Sequence, residues 1–424
     1  MSRVVRIQTN FSSGEIDPLL RARVDLAQYY NALQTAENVV VQPQGGVKRR
    51  DGLKYITELP AAANPQSGVR LIPFEFSATD SYMFALVNQR IYIFRDKALI
   101  TNINGSGNDY LAVSAVTSAM LEKIRHAQSA DTMILVHEDL TPLSIVRGAN
   151  NSSWTVSAIT FTNAPVHAFS FSTSNPSATL TPSGTSGAIT LTAGSGVFSS
   201  GNVNQYINVT SNYGRVRIIE FVSSTVVKGF CEIGLFDTAE IASGGWELEA
   251  GYEAAWSGSR GYPVSITFHE GRLYFAGSKS LPTTFWGSVV TNFFDFELGE
   301  GLDDQSISAT ITTASLNEIV DIFSGRDLQI FTTGGEFYIP QSVGEPITPS
   351  NLSVKVATRN GAKPGVPVAG LDSGTIFVQR QGKSLNELLF TDAELAYTTA
   401  ALSLLSGHLL KTPTDMAIRR ATST

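Results

Sequence analysis

Two His-Glu pairs, His137-Glu138 and His269-Glu270, are the residues whose types come nearest to proton-transfer or metal chemistry. An imidazole beside a carboxylate can relay a proton or hold a cation, but a zinc hydrolase of the HExxH kind needs a second histidine one helical turn on. Neither pair has one. Both fall where a hairpin is expected to turn, so they read as polar residues at strand ends. Asp303-Asp304 follows Gly299-Glu-Gly and offers oxygen ligands of the kind a hard cation takes; a hydrated loop is the plainer reading. Cys231, with Phe230 and Ile233 as neighbours, reads as a buried structural thiol rather than a nucleophile. No GxSxG elbow, Walker A loop or phosphate-cradling glycine turn before a helix is present. Paired acids of the glycosidase type are distinguished by separation in space, and no pair here stands out by spacing. Lys48-Arg49-Arg50 could touch phosphates, although three charges on one strand more often form a solvated edge or a carboxylate-binding interface. Binding or scaffolding is therefore the expected role, with no enzymatic activity, metal or cofactor.

The composition fits that role. A chain of 424 residues with 42% hydrophobic residues can bury two or three cores, and its 16% charged residues fall below the ~25% usual for soluble domains. Abundant Gly, Ser, Thr, Asn and Val suit short strands and tight turns. A net charge of −7 argues against gripping nucleic acid through its phosphates, while remaining compatible with a wall that DNA slides past. No run of about 18 apolar residues predicts a membrane span. The start lacks the apolar stretch of a secretion signal, and the single cysteine rules out an internal disulfide, so an intracellular origin is expected.

Along the chain, the expected order is an N-terminal arm with a helix and a hairpin (1–56), a first repeat region (57–150), an inserted small β domain (151–255) and a second repeat region (256–424). Asp25 is placed to cap a helix from Leu26 to Ala36, with Leu26, Tyr29, Tyr30 and Leu33 as its apolar face. A hairpin follows, Val39–Gln42 and Val47–Ile56, around Pro43–Gly46. After it one module recurs: strand, short turn, strand, at Ser81–Ile100, Asp131–Arg147, Arg272–Ser288, Leu328–Ile339 and Thr375–Phe390. In Tyr82-Met-Phe-Ala-Leu-Val both strand faces are apolar, which requires cover on both sides. The turns at Asn88 and Glu138 are 50 positions apart, those at Gly277 and Gly334 are 57, and those at Gly334 and Gln381 are 47. Such a period predicts the blades of a β-propeller over one or two large sandwiches. From Glu138 to Gly277 is 139 positions, so a domain is inserted there, entered through a loosely packed Ser/Thr/Gly-rich segment at 150–200. The fold class expected is all-β: propeller-like blades, an inserted small β domain and a short N-terminal helix.

Phe11-Ser-Ser-Gly-Glu-Ile-Asp-Pro-Leu-Leu, Arg23-Val-Asp-Leu, Tyr30-Asn-Ala-Leu, Glu37-Asn and Pro43-Gln-Gly-Gly-Val-Lys-Arg-Arg-Asp-Gly follow one another in an order that resembles the opening of short-tailed bacteriophage tail nozzle proteins, the tail tubular protein B family. Ala127-Gln-Ser-Ala-Asp, Gly261-Tyr-Pro, Phe268-His-Glu-Gly-Arg-Leu-Tyr-Phe-Ala-Gly-Ser, Trp286-Gly-Ser and Thr332-Thr-Gly-Gly-Glu extend the resemblance across most of the chain. It implies a structural virion protein of the phage tail, made in the host cytoplasm. Such a protein forms a hexameric ring below the head-to-tail adaptor, contacts tail fibre or spike proteins, and continues the channel through which double-stranded DNA is retained and ejected. It implies no catalytic residues. Relatives run on past the point matching Asp415-Met-Ala-Ile-Arg-Arg-Ala, so the propeller is expected to lack its last strands: a second nozzle polypeptide completes it, the chain is a fragment, or fewer blades close differently, and completion by a second polypeptide is the favoured reading. The candidate subunit or adaptor interface is Phe11, Ile16, Leu19, Arg21, Arg23, Lys48, Arg49 and Arg50. A receptor- or glycan-binding tail protein is the alternative, favoured if the insertion shows exposed aromatic clusters, although few aromatics precede Tyr206 there; a carbohydrate-active enzyme is a third.

Overall fold

Strands that are apolar on both faces persist in water only if both faces are covered, and four-stranded antiparallel sheets stacked face to face provide that cover. The computed structural model describes residues 7–299, 301–313, 317–340, 346–371, 374–393 and 395–418. It divides into two units, 7–163 with 257–418, and 164–256. The first holds five such sheets. Blade 1 is Arg70–Glu75, Ser81–Val87, Arg90–Arg95 and Ala98–Leu99, with Leu111–Ala112 pairing on its third strand. Blade 2 is Arg125–Ser129, Thr132–His137, Leu140–Arg147 and Trp154–Ala158. Blade 3 is Ser265–His269, Arg272–Ala276, Thr284–Gly287 and Ile307–Thr310. Blade 4 is Ile319–Ser324, Leu328–Thr332, Glu336–Ile339 and Lys355–Thr358, and blade 5 is Ala369–Gly370, Gly374–Val378, Leu385–Thr391 and Ala396–Ala401. The five turns picked out by their spacing all lie between the second and third strands of a blade, the equivalent place each time. Among the described residues the unit holds five blades of a β-propeller-like fold.

Cores form between blades. Ile72, Phe74, Tyr82, Phe84 and Leu86 of blade 1 meet Met133, Leu135, Ile145 and Trp154 of blade 2. Trp154 is buried with its ring 5.2 Å from each of Phe74, Tyr82 and Phe84, edge-on in all three cases, and its indole N–H donates to Asn151 O at 2.7 Å. Ile307 and Phe285 of blade 3 pack against Ile322, Ile330 and Phe337 of blade 4, and Phe331 of blade 4 against Phe377, Leu388 and Tyr397 of blade 5.

The expected organisation shifts in two places. The insertion begins at 164 rather than 151, because Trp154–Ala158 pairs with Leu140–Arg147 as the fourth strand of blade 2. The segment expected to be loosely packed contains the strands Val166–Ser174, Leu180–Pro182 and Gly187–Ala193, whose Leu180, Ile189, Leu191 and Ala193 enter a core around Trp246. Blade 5 itself has four strands, with Ala396–Ala401 paired along the whole of Leu385–Thr391, apart from its first residue.

The second unit is a seven-stranded antiparallel sheet in the order Val166–Ser174, Trp246–Ala254, Tyr206–Val209, Arg215–Ser223, Val226–Ile233, Gly187–Ala193, Leu180–Pro182. Cys231 is buried in its core and burial pushes the thiol pKa up, the environment of an inert structural cysteine.

Candidate assembly surface and the central ionic cluster

The N-terminal arm begins with a device that only glycine allows. Gly45 has φ +95°, and a Cβ there would lie 2.6 Å from Asn10 Oδ1. With that clearance the Phe11 N–H reaches Gly45 O at 2.7 Å and ties the first segment to the hairpin Val39–Val41/Val47–Arg49. Gly14–Glu15 then pairs in parallel with Ala32–Leu33. That pairing explains why the expected helix from Leu26 to Ala36 is a short 3-10 turn, Ala27–Asn31: Ala32 and Leu33 are drawn out straight, and Asp25, the expected cap, is engaged by the Arg23 guanidinium at 2.7 Å. The second hairpin strand stops at Arg49 rather than Ile56, since Arg49 pairs with Val39, where the facing strand begins.

This arm holds almost no core of its own. Ile16 is buried and Phe11 half-buried, but Leu19 is 90% exposed, Leu53 87%, Ile7 81% and Tyr55 75%, with Val24 and Tyr30 also exposed. Arg21, Arg23, Lys48, Arg49 and Arg50 are all exposed; Arg23 pairs with Asp25 and Lys48 with Asp51 at 3.1 Å. The proposed interface residues thus share one arm, and all but Ile16 and Phe11 face solvent.

The arm is anchored to the segment that follows blade 5. Asp17 N–H donates to Leu405 O at 2.8 Å, Ser406 Oγ to Glu15 O at 2.7 Å, and His408 N–H to Asp17 Oδ2 at 3.2 Å, while His408 Nε2 lies 3.0 Å from Glu15 Oε1. The His408 contact and the Ala36 N–H hold the Glu15 carboxyl below its usual range, and the Leu19 N–H does the same for Asp17.

At the centre of the propeller one carboxylate joins four blades. Asp321, in the first strand of blade 4, accepts from Ser265 Oγ of blade 3 and from Val368 N–H, at 3.0 Å, just before blade 5. Its Oδ2 also lies 3.5 Å from Arg125 Nε, at the head of blade 2. Arg70 of blade 1 is close enough to feel both charges and forms an ion pair with Asp415 at 3.3 Å. Arg125, Arg70 and Asp321 are all nearly excluded from water. A cavity of about 60 Å³, room for a few waters, opens beside Arg125 between Lys123, Glu138 and Glu318.

His126 shares this cluster; desolvation, then Arg70 and Arg125, push its pKa down to about 4. Because an unfolded histidine binds a proton near pH 6.5, the sign is fixed: protonation favours the unfolded chain as pH falls from about 6.5 towards 4, so stability is full above that window and declines through it. Replacing His126 with Gln is expected to flatten this part of a stability-against-pH curve measured by urea unfolding. An unchanged slope would show that His126 titrates normally in the fold.

The residues singled out for chemistry have structural partners within the fold. His137 ends a blade 2 strand, and its Nδ1 accepts the Asp139 N–H at 3.1 Å, so the neutral ring carries its proton on Nε2. Glu138 pairs with Lys123 at 3.2 Å and Asp139 with Lys279. His137, Glu138 and Asp139 come close enough to surround a cation, but both carboxylates are already neutralised by lysines and the imidazole lone pair is used. His269 ends another strand, its Nδ1 2.9 Å from Ser324 Oγ, with Glu270-Gly271 forming the turn at φ +47° and +76°. Burial lowers the pKa of both imidazoles. Asp303 accepts from Ser350 Oγ at 2.7 Å, and its carbonyl is one of three that receive the buried Arg272 guanidinium, with Ser288 O at 2.6 Å and Gln305 O. The Arg272 guanidinium thus holds that loop. The sequence signal for the Asp321 and Arg272 sites is a charge inside or at the start of an apolar strand, which must find a partner in the fold.

No family model and no curated protein matches this chain. Solved structures with some likeness include a protein of Bacteroides fragilis provisionally assigned as a 6-phosphogluconolactonase, at 10% identity over 78% of this chain and 82% of that one, TM-score 0.35. The Cps50 (Swd1) β-propeller domain of Myceliophteria thermophila is 8% identical over 79% and 85%, TM-score 0.30. The phage phi92 endosialidase is 9% identical over 76% and 60%, TM-score 0.20. Likenesses this distant carry no argument about activity; the propeller assignment rests on the five sheets and their order.

Proposed function

We propose that this chain is a structural subunit of a bacteriophage tail, which assembles into a ring continuing the DNA channel below the head-to-tail adaptor and takes part in retaining and ejecting the genome. The observation that carries the reading is the N-terminal arm: some fifty residues with exposed Leu19, Leu53, Ile7 and Tyr55, fastened to the propeller by the bonds of residues 15–17. Exposed apolar side chains strung along an extended segment mark a surface that another chain covers. In a ring, the neighbouring subunit supplies that cover at every position, because a head-to-tail contact repeats until it closes. The ordered resemblance of Phe11 to Gly52 to tail nozzle proteins gives the same region its family context. His137, His269 and Asp303 each make hydrogen bonds that hold strand ends and a loop, the kind of use a scaffold has for them. Localisation in the virion tail, contact with fibres or spikes and passage of DNA belong to the same proposal.

Deleting residues 1–20 is the test. It removes Ile7, Phe11, Ile16 and Leu19 while leaving all five blades, so the truncated protein is expected to unfold at nearly the same denaturant concentration yet to lose assembly, read as mass by light scattering. Normal assembly by the truncated chain would count against the arm as the subunit contact.

A further inference from the structure

The seven-stranded sheet of residues 164–256 buries one face around Trp246, and its other face should then be polar. It is not. Phe169 and Tyr252 are direct cross-strand partners with ring centroids 5.0 Å apart, Phe171 lies 4.8 Å from Phe169, and Tyr206 packs under both Phe169 and Tyr252 at 5.1 and 6.1 Å. Phe171 is 68% exposed and Tyr252 50%. Across the same face the register runs Glu249, Tyr206, Arg217, Phe230, and Phe230 is 45% exposed. From the strand of Phe171 to that of Phe230 is four strand spacings, roughly 19 Å. Between the two aromatic ends stand Arg215, 3.1 Å from Glu249 and 5.1 Å from the Phe169 centroid, and Arg217, 3.1 Å from Glu232, which also accepts from the Tyr206 hydroxyl at 3.2 Å.

We infer that this face is a binding site for a neutral polysaccharide chain. A pyranose presents an apolar C–H face and a rim of hydroxyls that both donate and accept. Exposed rings match the first. Guanidinium and carboxylate groups fixed by mutual pairing supply donors and acceptors for the second without net charge. Phosphate-rich nucleic acid finds no surplus of cations here, since each arginine is already paired with a glutamate. The insertion was expected to be poor in aromatics before Tyr206; Phe169 and Phe171 reach the face because the strand order sets Val166–Ser174 against Trp246–Ala254.

The inference stands independently of ring assembly, and its test separates the two. The full chain is run by affinity electrophoresis through gels containing dextran, galactomannan, mixed-linkage β-glucan, a bacterial O-polysaccharide or, as an acidic control, alginate. At least one neutral polymer is expected to retard it, and the double variant F171A/Y252A, with unchanged unfolding midpoint, is expected to bind at least tenfold more weakly. F230A should weaken retention on its own. Should the double variant destabilise the fold, F230A and the exposed-edge change F171S provide the same comparison. No retardation by any neutral polymer, retardation by alginate alone, or equal retention of the variants would overturn the proposal. So would a double variant that loses subunit assembly but keeps its retention, which would mark the face as a protein contact.

Discussion

Replacing Asp321 with alanine is expected to cost the propeller about 3–5 kcal/mol, the range for removing one partner of a buried charge pair. The carboxylate is 5% exposed and serves three other blades: Ser265 Oγ, the Val368 N–H at 3.0 Å and Arg125 Nε at 3.5 Å. Without it, the Arg125 guanidinium, 6% exposed, keeps its charge with no counter-ion at contact distance, and the Val368 N–H loses its acceptor. Apolar packing between blades is non-directional, so Asp321, together with polar links such as Lys279–Asp139 and Tyr397–Asp327, helps fix how four of them meet. Asp321→Asn retains acceptor capacity and should cost less, and the double change R125M/D321L should recover part of the loss, since an apolar pair leaves no buried charge. Unfolding in urea measures each. A loss below about 1 kcal/mol for Asp321→Ala would show that water screens the site.

Arg272→Met is expected to be comparably damaging, by a different route. The side chain is 2% exposed and donates to Ser288 O, Asp303 O and Gln305 O, three carbonyls of the irregular segment around blade 3. Methionine fills much of the volume but offers no donor, and each orphaned carbonyl costs about 1–3 kcal/mol when water cannot reach it. Because the damage is centred on the segment 288–305, faster cleavage by protease within 297–305 should accompany the fall in stability, measured by mass of the fragments. Wild-type cleavage kinetics with an unchanged urea midpoint would contradict the role given to Arg272.

How legible this was depended on which face of the sheet a residue occupies. The second strands of the blades, such as Tyr82–Val87, are sandwiched and largely apolar on both faces, and the turns after them keep the blade period in plain view; third strands vary more, Leu385–Thr391 carrying Asn386 and Glu387. First strands were harder. Arg125–Ser129 reads as a polar loop because Arg125 turns to the ionic centre and Gln128 bonds the Glu75 backbone, and Ala369–Gly370 is two residues long. Trp154–Ala158 was given to the insertion because, after its tryptophan, it is small and polar on an outer edge. The helix expected at Leu26 met competition that periodicity does not register: a parallel strand pairing with Gly14–Glu15 and an aspartate already engaged by Arg23. Phe11, Ile16 and Leu19 of the arm are named from sequence, whereas the exposure of Ile7, Leu53 and Tyr55 shows only in the fold; Asp321, Arg125 and Ser265 lie in three different blades, and only the stacking of those blades brings them together.

The claim on which the rest turns is that the arm of one subunit is covered by the next. Imaging the purified full-length chain by electron microscopy, with its mass taken in the same buffer, addresses it directly. Closed rings of a single subunit number, with residues 7–59 lying at each contact between propellers, are the predicted result. Monomers at every concentration, with the exposed side chains of that arm folded back onto their own blades, would contradict it.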